Sequence, residues 1–201
     1  MSVIDNLTKI KSCKEDIKQA IIEKGVDMSN VAFTEYAVKI SEIQTGGGGG
    51  GDYLDFRANA STYYSTVVSV GSDAFTYCSS LQSVNLPNCV NVKDYAFASC
   101  KSLQSVNLPN CVSIRYNTFQ SCFSLQSVNL PNCVTVGGYA FQYCSSLTSI
   151  KLPNCVNVSV NAFQSCFSLQ SVNLPNCVTV GSSAFASCTS LTSVNLPNCV
   201  T

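Results

Sequence analysis

Histidine and tryptophan are both absent from the 201 residues, and charged side chains make up only 11% of them. Without histidine, the chain has no nucleophile–base pair of the Ser–His or Cys–His kind. Only one acidic residue, Asp94, follows Asp73, so the paired carboxylates of a glycoside hydrolase are excluded from that long region. The sequence therefore predicts a protein that is not an enzyme and that uses no cofactor.

Clusters of basic residues and long apolar runs are also missing. Eleven Lys and Arg balance eleven Asp and Glu, whereas nucleic-acid binding needs clustered positive charge. No run approaches the roughly 18 apolar residues of a membrane span. The first residues, MSVIDNLTKIKSCKED, lack the apolar stretch of a secretory signal. We expect synthesis in the cytoplasm, no nucleic-acid partner and no membrane insertion.

The residues that are abundant follow a period of 22. From Ala74 the chain repeats A-F-x-x-C-x-S-L-x-S-V-x-L-P-N-C-V-x-V-x-x-x, in five full copies and a sixth cut short at Thr201. All six prolines fall at one phase of this repeat. A fixed period near twenty residues is typical of a solenoid, in which each coil buries its apolar side chains against its neighbours.

Each copy predicts two short extended segments and one helical turn. Val84 and Leu86 alternate as a strand in a stacked parallel sheet requires, and Leu81 enters from the preceding bend. The proline then ends the strand. The asparagine after the proline is expected to bond backbone groups of its own and the adjacent coil. C-V-x-V predicts the second extended segment. A-F-x-x-C has the spacing of a short α- or 3₁₀-helix, and its phenylalanines predict an aromatic column.

Twelve of the thirteen cysteines are spaced by 11 residues and form two columns. The chain has no C-x-x-C motif and no histidine, which argues against zinc. A disulfide between stacked coils would need its Cβ atoms closer than a sheet ladder places them. We therefore predict reduced thiols that pack as small apolar core residues, with disulfides as the alternative.

The pattern A-F-x-x-C-x-S-L-x-S-V-x-L-P resembles the BspA-like leucine-rich repeats of bacterial surface proteins. The likeness covers residues 74–201. It implies a right-handed leucine-rich-repeat solenoid with a parallel sheet, used for adhesion or recognition. Together with the helical module described next, the fold class is an α+β repeat solenoid.

Three shorter regions precede the repeat. Residues 1–45 predict two amphipathic helices that anchor the chain and self-associate, with a lone helical hairpin as the alternative. Residues 46–51 are a flexible linker of six glycines, and residues 52–73 align with the repeat as a degenerate capping coil. The anchoring or oligomerisation residues are Ile4, Leu7, Ile10, Ile17, Ile21, Phe33, Tyr36 and Ile40.

The segment LTKIKSCKEDIKQAIIEKGVDMSNVAFTEYAVKISEIQ resembles N-terminal modules of virion proteins from phages of gut bacteria. This implies a structural protein of the virion, a head or tail fibre, that binds other virion proteins through residues 1–45. It would be a homo-oligomer, such as a trimer, whose solenoid projects to recognise the host. The alternatives are a cell-surface adhesin of the BspA type and a scaffold without an external ligand. The last copy shows no capping sequence, which favours a covering partner.

Positions that differ between copies are free of the constraints of the coil. Large aromatic side chains at such positions predict a surface that binds a host carbohydrate or protein. The candidate ligand-binding residues are Tyr95, Tyr116, Phe123, Tyr139, Tyr143 and Phe167. Scattered surface aromatics, or packing against a sister subunit, are the alternatives.

Overall fold

The computed structural model describes residues 67–79 and 81–200. This part of the chain contains twelve short parallel strands and no helix. The predicted anchoring residues from Ile4 to Ile40, the glycine linker and most of the predicted capping coil lie outside the described residues. Those assignments therefore stay predictions.

The strands are of two kinds, which alternate along the chain. Six strands have three residues each: β2 Ser83–Asn85, β4 Ser105–Asn107, β6 Ser127–Asn129, β8 Ser149–Lys151, β10 Ser171–Asn173 and β12 Ser193–Asn195. Six have two residues each: β1 Ser69–Val70, β3 Asn91–Val92, β5 Ser113–Ile114, β7 Thr135–Val136, β9 Asn157–Val158 and β11 Thr179–Val180. Both predicted extended segments are confirmed.

Paired residues are one repeat apart, as in Val84 opposite Val106. The two-residue strands form one six-stranded sheet in the order β1-β3-β5-β7-β9-β11. The three-residue strands form two sheets, β2-β4-β6 and β8-β10-β12, so the stack is interrupted on that side. Val70 lies opposite Val92, in the register that the alignment of residues 52–73 with the repeat predicts.

The core is built around the predicted column of phenylalanines, which is confirmed. Neighbouring rings from Phe75 to Phe185 stack with centroids 5.1 to 5.4 Å apart. Those of the inner coils, such as Phe119, are fully buried. Stacked rings at this distance contribute beyond the area that they bury.

The predicted helix in A-F-x-x-C is wrong, because this segment is a turn. In the copy at 95–100, Tyr95 and Ser99 both have φ of 59°, which no α-helix allows. Phe97 donates its N–H to Thr118 O of the next coil at 2.9 Å instead of bonding within a helix. The apolar spacing of a helix thus reflects side chains that a turn directs to the core, and the described fold is a β-solenoid with turns rather than α+β.

The asparagines after the prolines bond the preceding coil, as predicted. Asn110 Nδ2 donates to Pro87 O at 2.8 Å, and the four later copies repeat this bond at 2.7 to 3.0 Å. Each bond satisfies a carbonyl that the proline turn leaves outside the sheet. The invariant asparagine therefore joins consecutive coils.

The twelve repeat cysteines are free thiols, ten of them buried, which confirms the reduced interpretation. They also donate hydrogen bonds, which the apolar interpretation omits. In one column Cys122 Sγ donates to Phe97 O at 3.2 Å, and in the other Cys133 Sγ donates to Thr135 O at 3.2 Å. Burial raises the pKa of the Cys122 and Cys133 thiols to about 12, so these groups hold their protons.

Candidate binding surface

Three of the six predicted ligand-binding residues come together as one group, which we name the tyrosine cluster: Tyr95, Tyr116 and Tyr139. The Tyr116 ring meets the Tyr95 ring edge to face, with centroids 5.7 Å apart. It meets the Tyr139 ring in the same way at 5.4 Å. Tyr95 and Tyr116 are exposed, and Tyr139 is half-buried. The cluster is therefore a continuous aromatic surface that spans three coils.

Asp94 and Gly138 position the middle ring of the cluster. The Asp94 carboxylate accepts hydrogen bonds from the Tyr116 N–H and from Arg115 Nε, both at 3.2 Å. Gly138 lies one repeat after Tyr116, and a Cβ there would be 3.4 Å from Tyr116 Cδ2 and 3.3 Å from Val160 Cγ1. Glycine thus leaves room for the Tyr116 ring, while the ion pair holds its backbone.

Tyrosine also occupies strained backbone positions in these turns. Each turn has two non-glycine residues in the left-handed region, and Tyr95, Tyr139 and Tyr143 are among them with φ of 59°, 58° and 62°. Bulky residues are disfavoured there. Sequence reasoning missed this constraint. The sequence does contain a sign of it, because Asp73 and Asn117 stand at the same phase as Tyr95 and Tyr139. Asp and Asn are the residues that tolerate the left-handed conformation.

Phe123 and Phe167 lie at a different phase of the repeat from the tyrosine cluster. They are 42% and 47% exposed, and two coil spacings put them roughly 10 Å apart. Ser145 occupies the same phase between them and donates from Oγ to Phe123 O at 3.2 Å. Tyr143, also exposed, stands two residues before Ser145. These aromatics form a second region rather than part of the tyrosine cluster.

The outward face of the three-residue strands is a polar ladder. Asn107 Nδ2 donates to Asn85 Oδ1, and Asn129 Nδ2 to Asn107 Oδ1, both at 2.7 Å. The ladder resumes after Lys151, where Asn195 Nδ2 donates to Asn173 Oδ1 at 2.8 Å. Lys151 replaces the asparagine in β8, the strand at which the sheet is interrupted.

A column of apolar side chains runs beside the six-stranded sheet. The repeat pattern alone does not predict that these side chains are exposed. The valine of the L-P-N-C-V motif is exposed in most copies, as is its equivalent before β1. These exposed residues are Val68, Val90, Val112, Val156, Val178 and Val200. Val134 of the same column is half-buried. Strand alternation would place Val90 on the same face as the buried Val92. The strand begins only at Asn91, however, so Val90 lies before it and is exposed.

Two kinds of site are absent from the part of the chain that the structure describes. Within residues 67–79 and 81–200, no group of three or more His, Cys, Asp or Glu could hold a metal ion. The same part of the chain has no helix long and apolar enough to cross a membrane. The described surface presents aromatic faces, amides and the Asp94–Arg115 ion pair.

The family model for the BspA type leucine rich repeat region matches six copies, over residues 57–157 and 112–201. The chain belongs to the BspA-type leucine-rich repeat family. Leucine-rich repeat proteins are typically non-enzymatic binding or scaffold proteins, and no catalytic family is indicated. The family predicted from the repeat is therefore confirmed for the repeat region.

Solved structures similar to this chain are also leucine-rich repeat proteins. One from Treponema pallidum is 30% identical with a TM-score of 0.62, and the match covers 64% of this chain and 63% of that one. A leucine-rich cell surface protein from Faecalibacterium prausnitzii is 33% identical with a TM-score of 0.51, covering 54% and 31%. A Bacteroides ovatus protein shares the fold at 24% identity, TM-score 0.50, covering 66% and 42%.

The matched chains are longer than the matched region. This chain spans between 31% and 63% of the length of those three solved structures. No curated protein matches it. The comparisons therefore establish the family and the solenoid fold of the repeat region.

Proposed function

We propose that the chain is a non-enzymatic recognition protein displayed on an exterior surface, whose solenoid binds its target through exposed aromatic side chains. The observation that carries this proposal is that one position of the repeat holds an exposed phenylalanine in some coils and a serine in another. Phe123 and Phe167 are exposed where the same position of another coil is Ser145. Because the coil accepts serine there, the fold does not require the phenylalanines, and exposed aromatics are typical of interaction sites.

The family supports display at a cell surface. BspA-type repeats are commonly found in cell-surface proteins, and the Faecalibacterium prausnitzii relative is described as a leucine-rich cell surface protein. An adhesin-like role on a bacterial surface is consistent with a solenoid that exposes apolar and polar columns without a catalytic group. The cell surface is therefore the first of two settings for this proposal.

A phage virion is the second setting, and it rests on the segment before the repeat. That segment resembles N-terminal modules of virion proteins, so residues 1–45 would attach the chain to other virion proteins as a homo-oligomer. The solenoid would then project as a fibre-like domain towards a host carbohydrate or protein. The recognition surface is the same in both settings.

Mass spectrometry separates the two settings. The chain would be sought in purified phage particles and in washed bacterial cell envelopes from the same culture. Peptides of the chain in particles but not in envelopes support the virion. The opposite distribution supports the adhesin and removes the virion. Absence from both, with the chain abundant in the soluble cell fraction, contradicts exterior display.

The binding surface is tested by the double variant Phe123→Ser, Phe167→Ser. We expect an unchanged melting temperature, because Ser145 already occupies this column, and weaker binding of the labelled chain to panels of gut-bacterial and epithelial cells, measured by flow cytometry. Thr189, at the same phase, provides a matched control as Thr189→Ser, which should leave binding intact. Undiminished binding by the double variant would exclude the two phenylalanines from the recognition surface.

A further inference from the structure

The tyrosine cluster has a conformational cost that the repeat can avoid. Tyr95 and Tyr139 have φ of 59° and 58° in the left-handed region, whereas the copies at the same phase hold Asn117 and Asn161, both with φ of 54°. Asparagine tolerates this conformation, and a bulky side chain does not. The chain therefore contains a less strained solution to the same turn. The left-handed φ recurs in every described turn, so what distinguishes the cluster is the choice of tyrosine for this position.

Burial offsets this strain only in part, since Tyr139 is half-buried and Tyr95 is exposed. The stacked phenylalanines of the inner coils are completely buried, as expected of aromatics that stabilise a core. Tyr116 is instead 43% exposed and Tyr95 36% exposed, so the cluster presents its rings to the exterior. A role in contact with a ligand accounts for both the strain and the exposure.

We propose that the tyrosine cluster is a carbohydrate-binding site and that its ligand is a neutral glycan; this deepens the recognition role proposed above and rests on it. A tyrosine ring offers an apolar face and a hydroxyl at its tip. A sugar ring has the complementary parts, a face of C–H groups and a rim of hydroxyls. The edge-to-face arrangement spans three coils, so a linear glycan can contact more than one ring.

The polar groups beside the cluster favour a ligand without charge. Arg115 Nε and Asp94 Oδ1 are 3.2 Å apart, with side chains 60% and 42% exposed, so the pair is neutral as a whole yet accessible to solvent. Its carboxylate accepts and its guanidinium donates, which suits sugar hydroxyls. A charged ligand would be attracted by one member of the pair and repelled by the other, so the pair gives it no net electrostatic advantage.

Asn117 adds an unsatisfied acceptor in the same place. It lies between Tyr95 and Tyr139 in the stack, is 6% exposed, and its Oδ1 is buried without a hydrogen-bond partner in the described residues. An unpaired buried oxygen is costly, so Asn117 is a second unfavourable feature that the chain retains beside the cluster. A protein partner would need a surface of about 800 Å² around the cluster, whereas three rings beside an ion pair match the size of a short oligosaccharide.

Isothermal titration calorimetry of the full chain tests this site with cellohexaose, maltohexaose and mannohexaose as neutral probes and with hexagalacturonate as an acidic one. The variants are Tyr95→Asn with Tyr139→Asn, which install the residue of the neighbouring copies, and Tyr116→Ser. Tyr77→Ser is the matched control, because it removes a left-handed tyrosine, φ 64°, outside the cluster and installs the residue of Ser99.

We expect one neutral hexasaccharide to bind, the cluster variants to lose at least tenfold in affinity, and the asparagine variant to melt at the same or a higher temperature than the original chain. Tyr77→Ser should bind normally. A melting temperature that falls in the asparagine variant would make the cluster structural and overturn the proposal. Equal binding by all variants would overturn the site, and binding of hexagalacturonate alone would overturn the ligand class.

Failure of this proposal is distinguishable from failure of the recognition role. If no hexasaccharide binds while the chain still labels cells, the carbohydrate site is overturned and recognition stands. If the chain labels no cells and binds no hexasaccharide, both are overturned.

Discussion

Two stretches of nearly identical sequence have very different surroundings in this solenoid. SLQSVNLPNCV at 168–178 and SLTSVNLPNCV at 190–200 differ only at Gln170 and Thr192. Val172 in the first is 1% exposed and Val194 in the second is 52% exposed. The difference arises because β10 pairs with both β8 and β12, whereas β12 pairs only with β10 among the described strands. Burial in a solenoid is thus decided by the neighbouring coils and not by the sequence of a coil.

This comparison means that one substitution should have two different effects. In a linear repeat protein, stability is approximately a sum of coil terms and interface terms between neighbours. A residue in an inner coil belongs to two interfaces, and its copy in the last described coil belongs to one. The predictions below test this asymmetry, beginning with the largest expected effect.

The inner thiols should make the fold steeply sensitive to alkali. Burial raises the pKa of Cys111 to about 11 and those of Cys122, Cys133 and Cys155 to about 12, from an ordinary value of 9.0. Between pH 9 and 11 the unfolded chain therefore loses these protons while the folded chain keeps them, so stability is complete below pH 9 and falls as pH rises. Each thiol contributes about 1.4 kcal/mol per pH unit.

Urea unfolding at pH 7, 8, 9, 10 and 11 measures this loss. We expect little change from pH 7 to 8 and a steep fall above pH 9. Replacing Cys122 and Cys144, whose pKa values burial raises, with alanine should make the fall shallower. A free energy of unfolding that is constant up to pH 11 would contradict the assignment of buried thiols.

Truncating the aromatic column compares the two positions directly. Phe163→Ala leaves a cavity between two stacked rings and should cost about 3 to 5 kcal/mol. Phe185→Ala should cost clearly less, because Phe185 is only partly buried and stacks on Phe163 alone among the described rings. Urea unfolding of both variants checks the ordering. Equal costs would show that the last described coil is covered as completely as an inner one.

The glycines that follow β7 and β11 test how freely a coil can shift. A Cβ at Gly137 would lie 2.6 Å from Arg115 C, and one at Gly181 would lie 2.5 Å from Val160 N. Alanine forces the neighbouring backbone to move at either site, which costs about 1 to 3 kcal/mol. The coil after Gly137 is held from both sides, so Gly137→Ala should lower the melting temperature more than Gly181→Ala. The opposite order would contradict the asymmetry.

The repeat period predicts those features that depend on stacking identical units. The strand of Val84, the phenylalanine column and the bonds of Asn110 all follow from one side chain repeated every 22 residues. The family resemblance follows from the same pattern. These features can be predicted from the sequence because equivalent residues of successive copies occupy the same environment in the stack.

Features that depend on backbone direction are not recoverable in this way. The A-F-x-x-C turn has apolar spacing shared with a helix, and only its left-handed residues distinguish it. Val90 is apolar yet exposed, because the strand begins only at Asn91 and its alternation does not extend to Val90. The tyrosine cluster joins Tyr95 and Tyr139 at one phase with Tyr116 at the preceding phase, so a column-by-column interpretation does not bring them together.

The interruption between β6 and β8 offers the smallest and most local test. β8 differs from the other three-residue strands at Ile150 and Lys151, and Val128 in the facing strand β6 is half-buried although Val106 is buried. Lysine cannot accept the amide hydrogen bond that asparagine accepts from the next coil. Lys151→Asn should therefore extend the amide ladder from Asn129 to Asn173.

We expect Lys151→Asn to raise the free energy of unfolding by about 0.5 to 1.5 kcal/mol, the net value of a hydrogen bond. Amide hydrogen exchange in β6 and β8 should slow by the corresponding factor, roughly two- to tenfold. Lys151→Gln is the matched control, since it removes the charge without restoring the shorter amide. A gain shared by both variants would assign the interruption to the charge of Lys151. A gain confined to asparagine would assign it to the ladder, and the split sheet would then follow from one side chain in an otherwise uniform column.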